Sequence, residues 1–192
     1  MKAQAKQHPD WLLFDQDECW FSRFAQPKAH AWALPGEALR FVQREPQRDE
    51  TEKALACFGA VRQDTGQVTV AFSEGQPNSE HMWAFIRALL AVARQAGKRV
   101  VVLIWDNASW HKSRRIEHWI RSYNQRAKAT GDVRLITHLL PIKSPWLNPI
   151  EPRWVHAKRG VCEPDGELTP PELRRRIGKH FNTEPLALSF KV

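Results

Sequence analysis

The chain has 192 residues and a mass of 22.2 kDa, which is enough for one domain with a buried core. Hydrophobic residues make up 42% of the chain and charged residues 26%, a balance that excludes a disordered protein. The 29 Lys and Arg residues outnumber the 21 Asp and Glu residues, so the net charge is +8. A polyanion is a natural partner for this charge, although a solvated positive surface without a partner explains it equally well.

The cysteine pattern and the hydropathy of the chain indicate the cellular compartment in which the protein is expected. Cys19, Cys57 and Cys162 are far apart and form no CxxC pair, which argues against a disulfide framework and a thiolate zinc site. The N-terminal segment MKAQAKQHPD has no apolar signal core. The longest apolar run, at residues 100–105, is far shorter than the roughly 20 residues that span a bilayer. We therefore expect a cytoplasmic protein with no membrane partner.

The first half of the chain predicts a strand, a hairpin and a helix. WLLF predicts a short buried strand that the polar cluster DQDE ends at residues 15–18. Residues 55–75 predict a β-hairpin with a tight turn at residues 64–66. In the helix that follows, Ser79 is the expected N-cap and Gly97 the expected stop. Its apolar residues recur at helical spacing: Met82, Phe85, Ile86, Leu89, Leu90 and Ala93.

The second half predicts further alternation of strands and helices. RVVVLIW has two apolar faces, as a central strand does, and it ends at Asp106. Residues 111–131 predict an amphipathic helix and residues 133–140 another strand. Asn148 can cap the next helix with Pro149 in its first position, and PPELRRRIGKHF predicts a short basic helix. This order of elements predicts an α/β fold with helices packed on a central sheet.

Two acidic residues follow predicted elements at positions where ligands commonly bind. Asp106 comes directly after the central strand, and ligands of open α/β sheets collect at such carboxyl ends. Capping of the next helix by Asp106 or Asn107 is an equally simple explanation. Glu151 lies three residues after Asn148, so this pair could instead form a capping box.

A third acidic site, formed by Asp15, Asp17 and Glu18, adjoins a strand predicted to be buried, where unpaired charge is costly. Three acidic sites beside one core need a shared counter-charge. Oxygen ligands without paired Cys or clustered His favour Mg²⁺ or Mn²⁺ over Zn²⁺. Two such ions would activate a water or a 3′-hydroxyl and stabilise the leaving oxygen in phosphodiester cleavage, which suits the basic composition.

Three segments, FDQDECWF, LIWDNASWH and LPIKSPWLNPIEPRW, resemble the acidic motifs of mariner-like insertion-sequence transposases of the DDE superfamily. That family shows an Asp-Glu pair after its first strand and Asp-Asn-Ala with a nearby His after its fourth. Its third motif is a Ser-Pro, Leu-Asn-Pro-Ile-Glu run that opens a helix. All three occur here in order, over residues 11–160. The resemblance implies a ribonuclease H-like fold with a central mixed five-stranded sheet flanked by helices.

By motif position, the resemblance makes Asp17, Asp106 and Glu151 the catalytic carboxylates and the ligands of two Mg²⁺ or Mn²⁺ ions. Asp15 and Glu18 are the rivals to Asp17. The implied enzyme is a DNA transposase and endonuclease that cleaves DNA and transfers the cut strand. Its partners would be double-stranded transposon ends and target DNA, on which we expect a homodimer at the bacterial nucleoid.

The resemblance also predicts a division of the chain. We expect a polar N-terminal extension at residues 1–10, the catalytic domain at 11–162, and a basic C-terminal helix and tail at 163–192. The 44 residues between Asp106 and Glu151 are more than is usual in the family. No helix-turn-helix region precedes Asp17, which suggests a split reading frame, a truncated copy or a separately supplied DNA-binding subunit.

Several residues near the motifs are candidates for supporting roles. Asn107 and His111 are candidate accessory residues, and a capping or surface role is the alternative for His111. Four basic residues are expected to bind phosphates in a salt-dependent way, unless they only form a solvated helix face: Lys143, Arg153, Lys158 and Arg159. The motif tryptophans Trp110, Trp146 and Trp154 could stack on unpaired bases or pack in the core, and Trp154 could support Glu151.

Two other functions fit the same residues. The first is a ribonuclease H-like nuclease that hydrolyses DNA without joining it. The second is a non-catalytic DNA-binding remnant of a transposase, whose salt-sensitive binding would not depend on the three acids.

Overall fold

The computed structural model describes residues 7–24, 53–161 and 168–190 of the chain. Cys162 lies outside these residues, as do residues 1–6 of the predicted N-terminal extension and the predicted boundary between residues 162 and 163. The described elements, in chain order, are β1 (Trp11–Ser22), β2 (Ala54–Arg62), β3 (Val68–Ser73), α1 (Ser79–Gln95), β4 (Val100–Trp105), α2 (Arg114–Thr130), β5 (Arg134–Leu139), a 3₁₀ turn (Pro145–Leu147), α3 (Glu151–Gly160) and α4 (Pro170–Phe181).

The five strands form one mixed sheet in the order β3-β2-β1-β4-β5. β1 pairs antiparallel with β2, which pairs antiparallel with β3. On its other side β1 runs parallel to β4, and β4 runs parallel to β5. This sheet and its flanking helices confirm the predicted fold class.

The pleat of β1 sends alternate side chains to two different cores. Leu12 and Phe14 belong to the core on the face covered by α1 and α2. Cys19 and Phe21 belong to the core on the opposite face, which α3 and α4 cover. The central strand β4 is buried along most of its length, as its apolar sequence predicted.

β1 is longer than the sequence predicted. The polar residues 15–18 do not end the strand, which continues to Ser22. The reason is that β2 pairs along β1 from Phe14 to Ser22, so the backbone hydrogen bonds of the polar segment are satisfied within the sheet. The acidic side chains therefore project from a strand within the sheet and not from a loop after it.

The helix ends depend on local capping. The expected N-cap Ser79 is the first residue of α1, and the cap is Asn78, whose side chain accepts hydrogen bonds from the amides of Glu80 and His81. Ser113 caps α2 in the same way, and the left-handed Gly131 ends it. Among the described residues, no helix is long and apolar enough to cross a membrane.

The C-terminal residues also contact the sheet. α4 packs against α3, β2 and β3. Beyond this helix, Leu186 forms a parallel bridge with Ala71, and its amide donates to the carbonyl oxygen of Val70 at 2.8 Å. The segment after α4 is therefore attached to the outer strand β3.

Candidate active site

The register of the sheet brings the first two acidic motifs side by side. Asp15 in β1 is paired with Ile104 in β4, and both strands run in the same direction. Asp17 follows two residues later in β1, Asp106 is the first residue after β4, and the charge of Asp106 acts on Asp17. On its other side, Asp17 is paired with Gly59 in β2.

Helix α3 brings the third motif to the same place. Its first residue is Glu151, and the preceding residue, Ile150, is fully buried in the core beneath the helix. One turn later, the buried indole of Trp154 donates a hydrogen bond from Nε1 to Oδ2 of Asp17 at 3.1 Å. The predicted support of a carboxylate by Trp154 therefore involves Asp17 on the strand and not Glu151 on its own helix.

Gly59 makes room for this indole. A Cβ atom at position 59 would overlap Cη2 and Cζ2 of Trp154 and would also crowd Ile150. Because Gly59 is the partner of Asp17 in the sheet, its missing side chain allows the ring to lie beside the carboxylate. Sequence analysis missed Gly59, and its position inside an otherwise apolar strand is the signal that could have found it.

Two asparagines attach the motif loops to the sheet. The buried Asn148 donates from Nδ2 to the carbonyl oxygen of Gln16 at 3.0 Å, next to Asp17. Asn107 donates from Nδ2 to the carbonyl oxygen of Leu140 at 2.6 Å, which connects the ends of β4 and β5. Asn107 thus has a positioning contact, and Asn148 holds the loop before α3 against β1.

The capping explanations for the acids fail in the structure. α2 begins at Arg114 with Ser113 as its cap, so neither Asp106 nor Asn107 caps it. α3 begins at Glu151 with no side-chain cap, which also moves the predicted first helical position away from Pro149. The backbone amide of Asn148 donates to Pro145 within the 3₁₀ turn and not to Glu151, as a capping box would require.

His111 connects two of the acidic motifs. Its Nδ1 lies 2.8 Å from Oδ1 of Asp106, and its Nε2 lies 3.1 Å from Oε1 of Glu18. Burial alone would lower the pKa of His111, but the hydrogen bonds to Asp106 and Glu18 outweigh it and raise the pKa to about 9. The same contact with His111 lowers the pKa of Asp106. His111 is thus a buried partner of two carboxylates and not a surface or capping residue.

The three β1 acids have different surroundings. Asp15 is fully buried and accepts a hydrogen bond from Nε2 of Gln63 at 2.7 Å. Glu18 faces His111. For Asp17, burial and then the negative charges of Glu151, Glu18 and Asp106 together raise the pKa to about 7. Asp17 is therefore the β1 acid on which the charges of the other two motifs act together.

The donor set fits a hard divalent cation in its chemistry. Carboxylate oxygens are the ligands that Mg²⁺ and Mn²⁺ prefer, and a cation would relieve the repulsion that raises the pKa of Asp17. Asp106 and Glu151 line one cavity of about 320 Å³ together with Lys143 and Ser144. In the described parts of the chain, however, no three His, Cys, Asp or Glu side chains lie close enough together to hold a metal ion as they stand.

The four predicted phosphate-binding residues are all exposed. Lys143 lines the cavity beside Asp106 and Glu151, whereas Arg153 lies near the β2–β3 turn at Gly66. Lys158 lies beside Cys19 on the same side of α3 as Glu151 and Trp154, and Arg159 follows it. The structure thus places Lys143 at the cavity of Asp106 and Glu151, Lys158 beside Cys19 of β1, and Arg153 near Gly66.

The three motif tryptophans have different environments. Trp154 is buried, as core packing predicted. Trp110 is partly buried and donates from Nε1 to Oε1 of Glu18 at 3.3 Å. Trp146 is 75% exposed in the loop before α3, so of these three only Trp146 presents a ring to solvent.

The fold is ribonuclease H-like, with a mixed five-stranded sheet between helices and acids from three chain segments at one edge. Residues 13–164 match the family described as DDE superfamily endonuclease. The match covers well over half of the chain, so the chain belongs to the DDE superfamily endonuclease family. The family predicted from the three motifs is confirmed.

Similar proteins come from mobile genetic elements. The chain is 30% identical over 149 residues to the insertion element IS630 uncharacterized 39 kDa protein of Shigella sonnei, a match that covers 77% of this chain and 37% of that protein. The Mos1 strand transfer complex matches with a TM-score of 0.61 and 15% identity, over 95% of this chain and 50% of that one.

Two further Mos1 structures have the same fold. The paired-end complex with left transposon end matches with a TM-score of 0.62 and 16% identity, over 98% of this chain and 52% of that one. The mariner paired-end complex with Mn matches with a TM-score of 0.60 and 15% identity, over 98% of this chain and 53% of that one. The chain thus spans about half the length of the Mos1 chains and 37% of the curated relative.

Proposed function

We propose that the chain is the catalytic part of a DNA transposase. It cleaves a phosphodiester bond at the end of a mobile element and joins the freed 3′-hydroxyl to target DNA. The observation that supports this proposal best is that a DDE superfamily endonuclease carries the acids of all three motifs, with Asp106 and Glu151 lining one cavity.

Asp17, Asp106 and Glu151 are the proposed ligands of two Mg²⁺ or Mn²⁺ ions. When bound, the ions would generate the attacking oxygen and stabilise the leaving oxygen. Since the acids do not form a ready group, their side chains would turn toward the ions on binding. Trp154 fixes one oxygen of Asp17, and Lys143 supplies positive charge at the rim of the cavity.

Double-stranded DNA, as transposon ends and as target, is the proposed partner. Lys143, Arg153, Lys158 and Arg159 would neutralise its phosphates, which would make binding weaker as salt increases. Pairing of two element ends calls for a homodimer on DNA. A helix-turn-helix region would recognise the ends, and the complex would act at the bacterial nucleoid in the cytoplasm.

The test is cleavage of DNA that carries the element ends, with Mg²⁺ or Mn²⁺, by the chain alone and with an added DNA-binding region. We expect Asp106→Asn to abolish cleavage and Asp132→Asn, a matched change in an acid paired with Arg94, to leave it intact. Undiminished cleavage by Asp106→Asn would refute the proposed ligand set.

Product analysis separates the transposase from the other two functions. A transposase yields joints between element ends and target DNA, whereas a nuclease without strand transfer yields only hydrolysed ends. A non-catalytic remnant would bind DNA and cleave none. Its binding would stay unchanged when the acids are replaced by amides.

A further inference from the structure

The imidazole of His111 is held rigidly within the protein. Its side chain has no exposed surface. The ring stacks on the indole of Trp105, with the ring centres 4.6 Å apart and the planes 6° from parallel. Trp110 contacts it edge-on at 6.0 Å. Because the aromatic neighbours fix the plane of the ring, they also fix the directions of its two nitrogens.

Each ring nitrogen is directed at a different carboxylate. Nδ1 is 2.8 Å from Oδ1 of Asp106, and Nε2 is 3.1 Å from Oε1 of Glu18. Glu18 is held in turn, because its Oε1 also accepts hydrogen bonds from Nε2 of Gln16 at 3.1 Å and from Nε1 of Trp110 at 3.3 Å. Glu18 thus forms the buried end of a chain of contacts that leads through His111 to Asp106.

The contacts of Asp106 leave one side of its carboxylate open. Oδ1 accepts from His111 and from the backbone amide of Ala108 at 2.9 Å. Among the described residues, nothing donates a hydrogen bond to Oδ2, and 51% of the side chain is exposed. The carboxylate is therefore held at one oxygen, and Asp106 lines a cavity together with Glu151.

We propose that His111 and Glu18 are positioning residues for Asp106. His111 holds Oδ1, which would leave Oδ2 available to a bound ion, and Glu18 holds His111 in the orientation that this requires. Glu18 then has no role as a ligand itself, although it belongs to the same acidic cluster as Asp17. The inference rests on the proposed function, since it takes Asp106 as a metal ligand.

The direct test is Mn²⁺ binding to the chain, measured by titration calorimetry in the absence of DNA. His111→Phe keeps a ring for stacking on Trp105 but removes both donors. Loss of a residue that supports a ligand typically costs 10–100-fold in metal affinity, so we expect Mn²⁺ to bind about 10-fold more weakly. His118→Phe, at an exposed position of α2, is the matched control and should bind Mn²⁺ like the original chain.

A conservative variant separates positioning from general damage to the core. The amide nitrogen of Asn can take the place of Nδ1, so His111→Asn keeps the donor to Asp106 and loses the contact with Glu18. We expect His111→Asn to recover most of the Mn²⁺ affinity lost in His111→Phe. Equal losses in the two variants, or no loss in either, would overturn the proposal.

Glu18 supplies a second test that does not depend on the stability of the His111 variants. Glu18→Gln keeps an oxygen that accepts from His111, whereas Glu18→Ala removes it. For a positioning residue, Glu18→Gln should bind Mn²⁺ more tightly than Glu18→Ala. If Glu18 were a ligand, both variants would bind Mn²⁺ equally weakly, and the proposal would fail.

The outcomes for this inference and for the proposed function are distinct. If Asp106→Asn binds Mn²⁺ as tightly as the original chain, Asp106 is not a ligand and the proposed function fails at that residue. If Asp106→Asn loses Mn²⁺ but His111→Phe does not, the ligand set stands and only the positioning role of His111 is refuted.

Discussion

Asp17 and Glu18 are neighbours on β1 but face opposite sides of the sheet. Asp17 lies on the face covered by α3, where the indole N–H of Trp154 and the backbone N–H of Glu18 donate to it. Glu18 lies on the face covered by α2, where Gln16, Trp110 and His111 all contact one of its oxygens. Adjacent acids thus differ in the side chains that contact them.

The difference between the two acids indicates which can take a ligand. Glu18 faces donors that compensate its charge. Asp17 faces Glu151 and Asp106, and its pKa is raised to about 7 by burial and by these negative neighbours. A cation would lower the free energy of the Asp17 face much more than that of the Glu18 face, because Asp17 faces negative neighbours whereas Glu18 faces His111 and two N–H donors.

We expect the largest effect when Asp17 and Glu18 are each replaced by the corresponding amide. Equal losses of DNA cleavage in the two variants would contradict the difference between the two acids. We expect Asp17→Asn to reduce DNA cleavage by more than about 100-fold, beyond the range typical of residues that only support a metal ligand. Glu18→Gln should lose far less, because its side-chain oxygen still accepts from His111. Single-turnover cleavage rates with saturating Mn²⁺ measure both.

Asp15 is the control for these amide variants. It is fully buried, and Gln63 donates to it, so Asp15→Asn should lower the unfolding free energy and leave Mn²⁺ binding intact. If Asp15→Asn lost Mn²⁺ while Asp17→Asn kept it, the first ligand would be Asp15.

A substitution at Gly59 would change the surroundings of Asp17 on the α3 face through steric overlap alone. Gly59→Ala would place a methyl group where the Trp154 indole lies, so the ring must move away from Asp17. Overpacking of this kind costs about 1–3 kcal/mol of unfolding free energy, which denaturant unfolding can measure. We also expect weaker Mn²⁺ binding, because the hydrogen bond from Trp154 to Asp17 would be lost.

A double variant checks that the cause is the contact with Trp154. Phe is shorter than Trp, so Trp154→Phe should relieve the crowding that Gly59→Ala creates. The two losses of stability should then fail to add, by about 0.5 kcal/mol or more. Additive losses would mean that Gly59 acts through something other than the indole.

Local sequence patterns were sufficient for most of the fold. The apolar run of β4 predicted a central strand, and in the structure β4 is buried on both faces. The length of β1 could not be predicted in this way, since the polar residues 15–18 look like a strand end. Their place within the strand depends on pairing with β2, which is distant in sequence.

The sequence likewise predicted only part of the candidate site. The motifs predicted Asp17, Asp106 and Glu151 as a set, but not which β1 acid faces the others, because that depends on the pleat and on α3. The contact between Gly59 and Trp154 joins positions far apart in sequence and has no local signal beyond a glycine inside a strand. The sequence therefore predicted which acids belong together, whereas the residues that contact them could be identified only from the tertiary structure.

We expect the smallest effect from the ion pair between Arg94 and Asp132, on the α1 and α2 side of the sheet. This pair tests whether the effects on Mn²⁺ binding are limited to the acids of the site. Arg94 donates from Nε and Nη2 to both carboxylate oxygens of Asp132, at 2.6 and 2.8 Å, and this contact lowers the pKa of Asp132. A lowered folded-state pKa contributes stability above the unfolded pKa of about 3.9, and this stability is lost as the pH falls through the folded value.

Because the pair is partly exposed, Asp132→Asn should cost only about 0.5–1 kcal/mol at pH 7. The gap between the two proteins should narrow below pH 4 in urea unfolding, while Mn²⁺ affinity at pH 7 stays equal. A gap that persisted unchanged at pH 3 would show that the pair does not stabilise the fold through its charge.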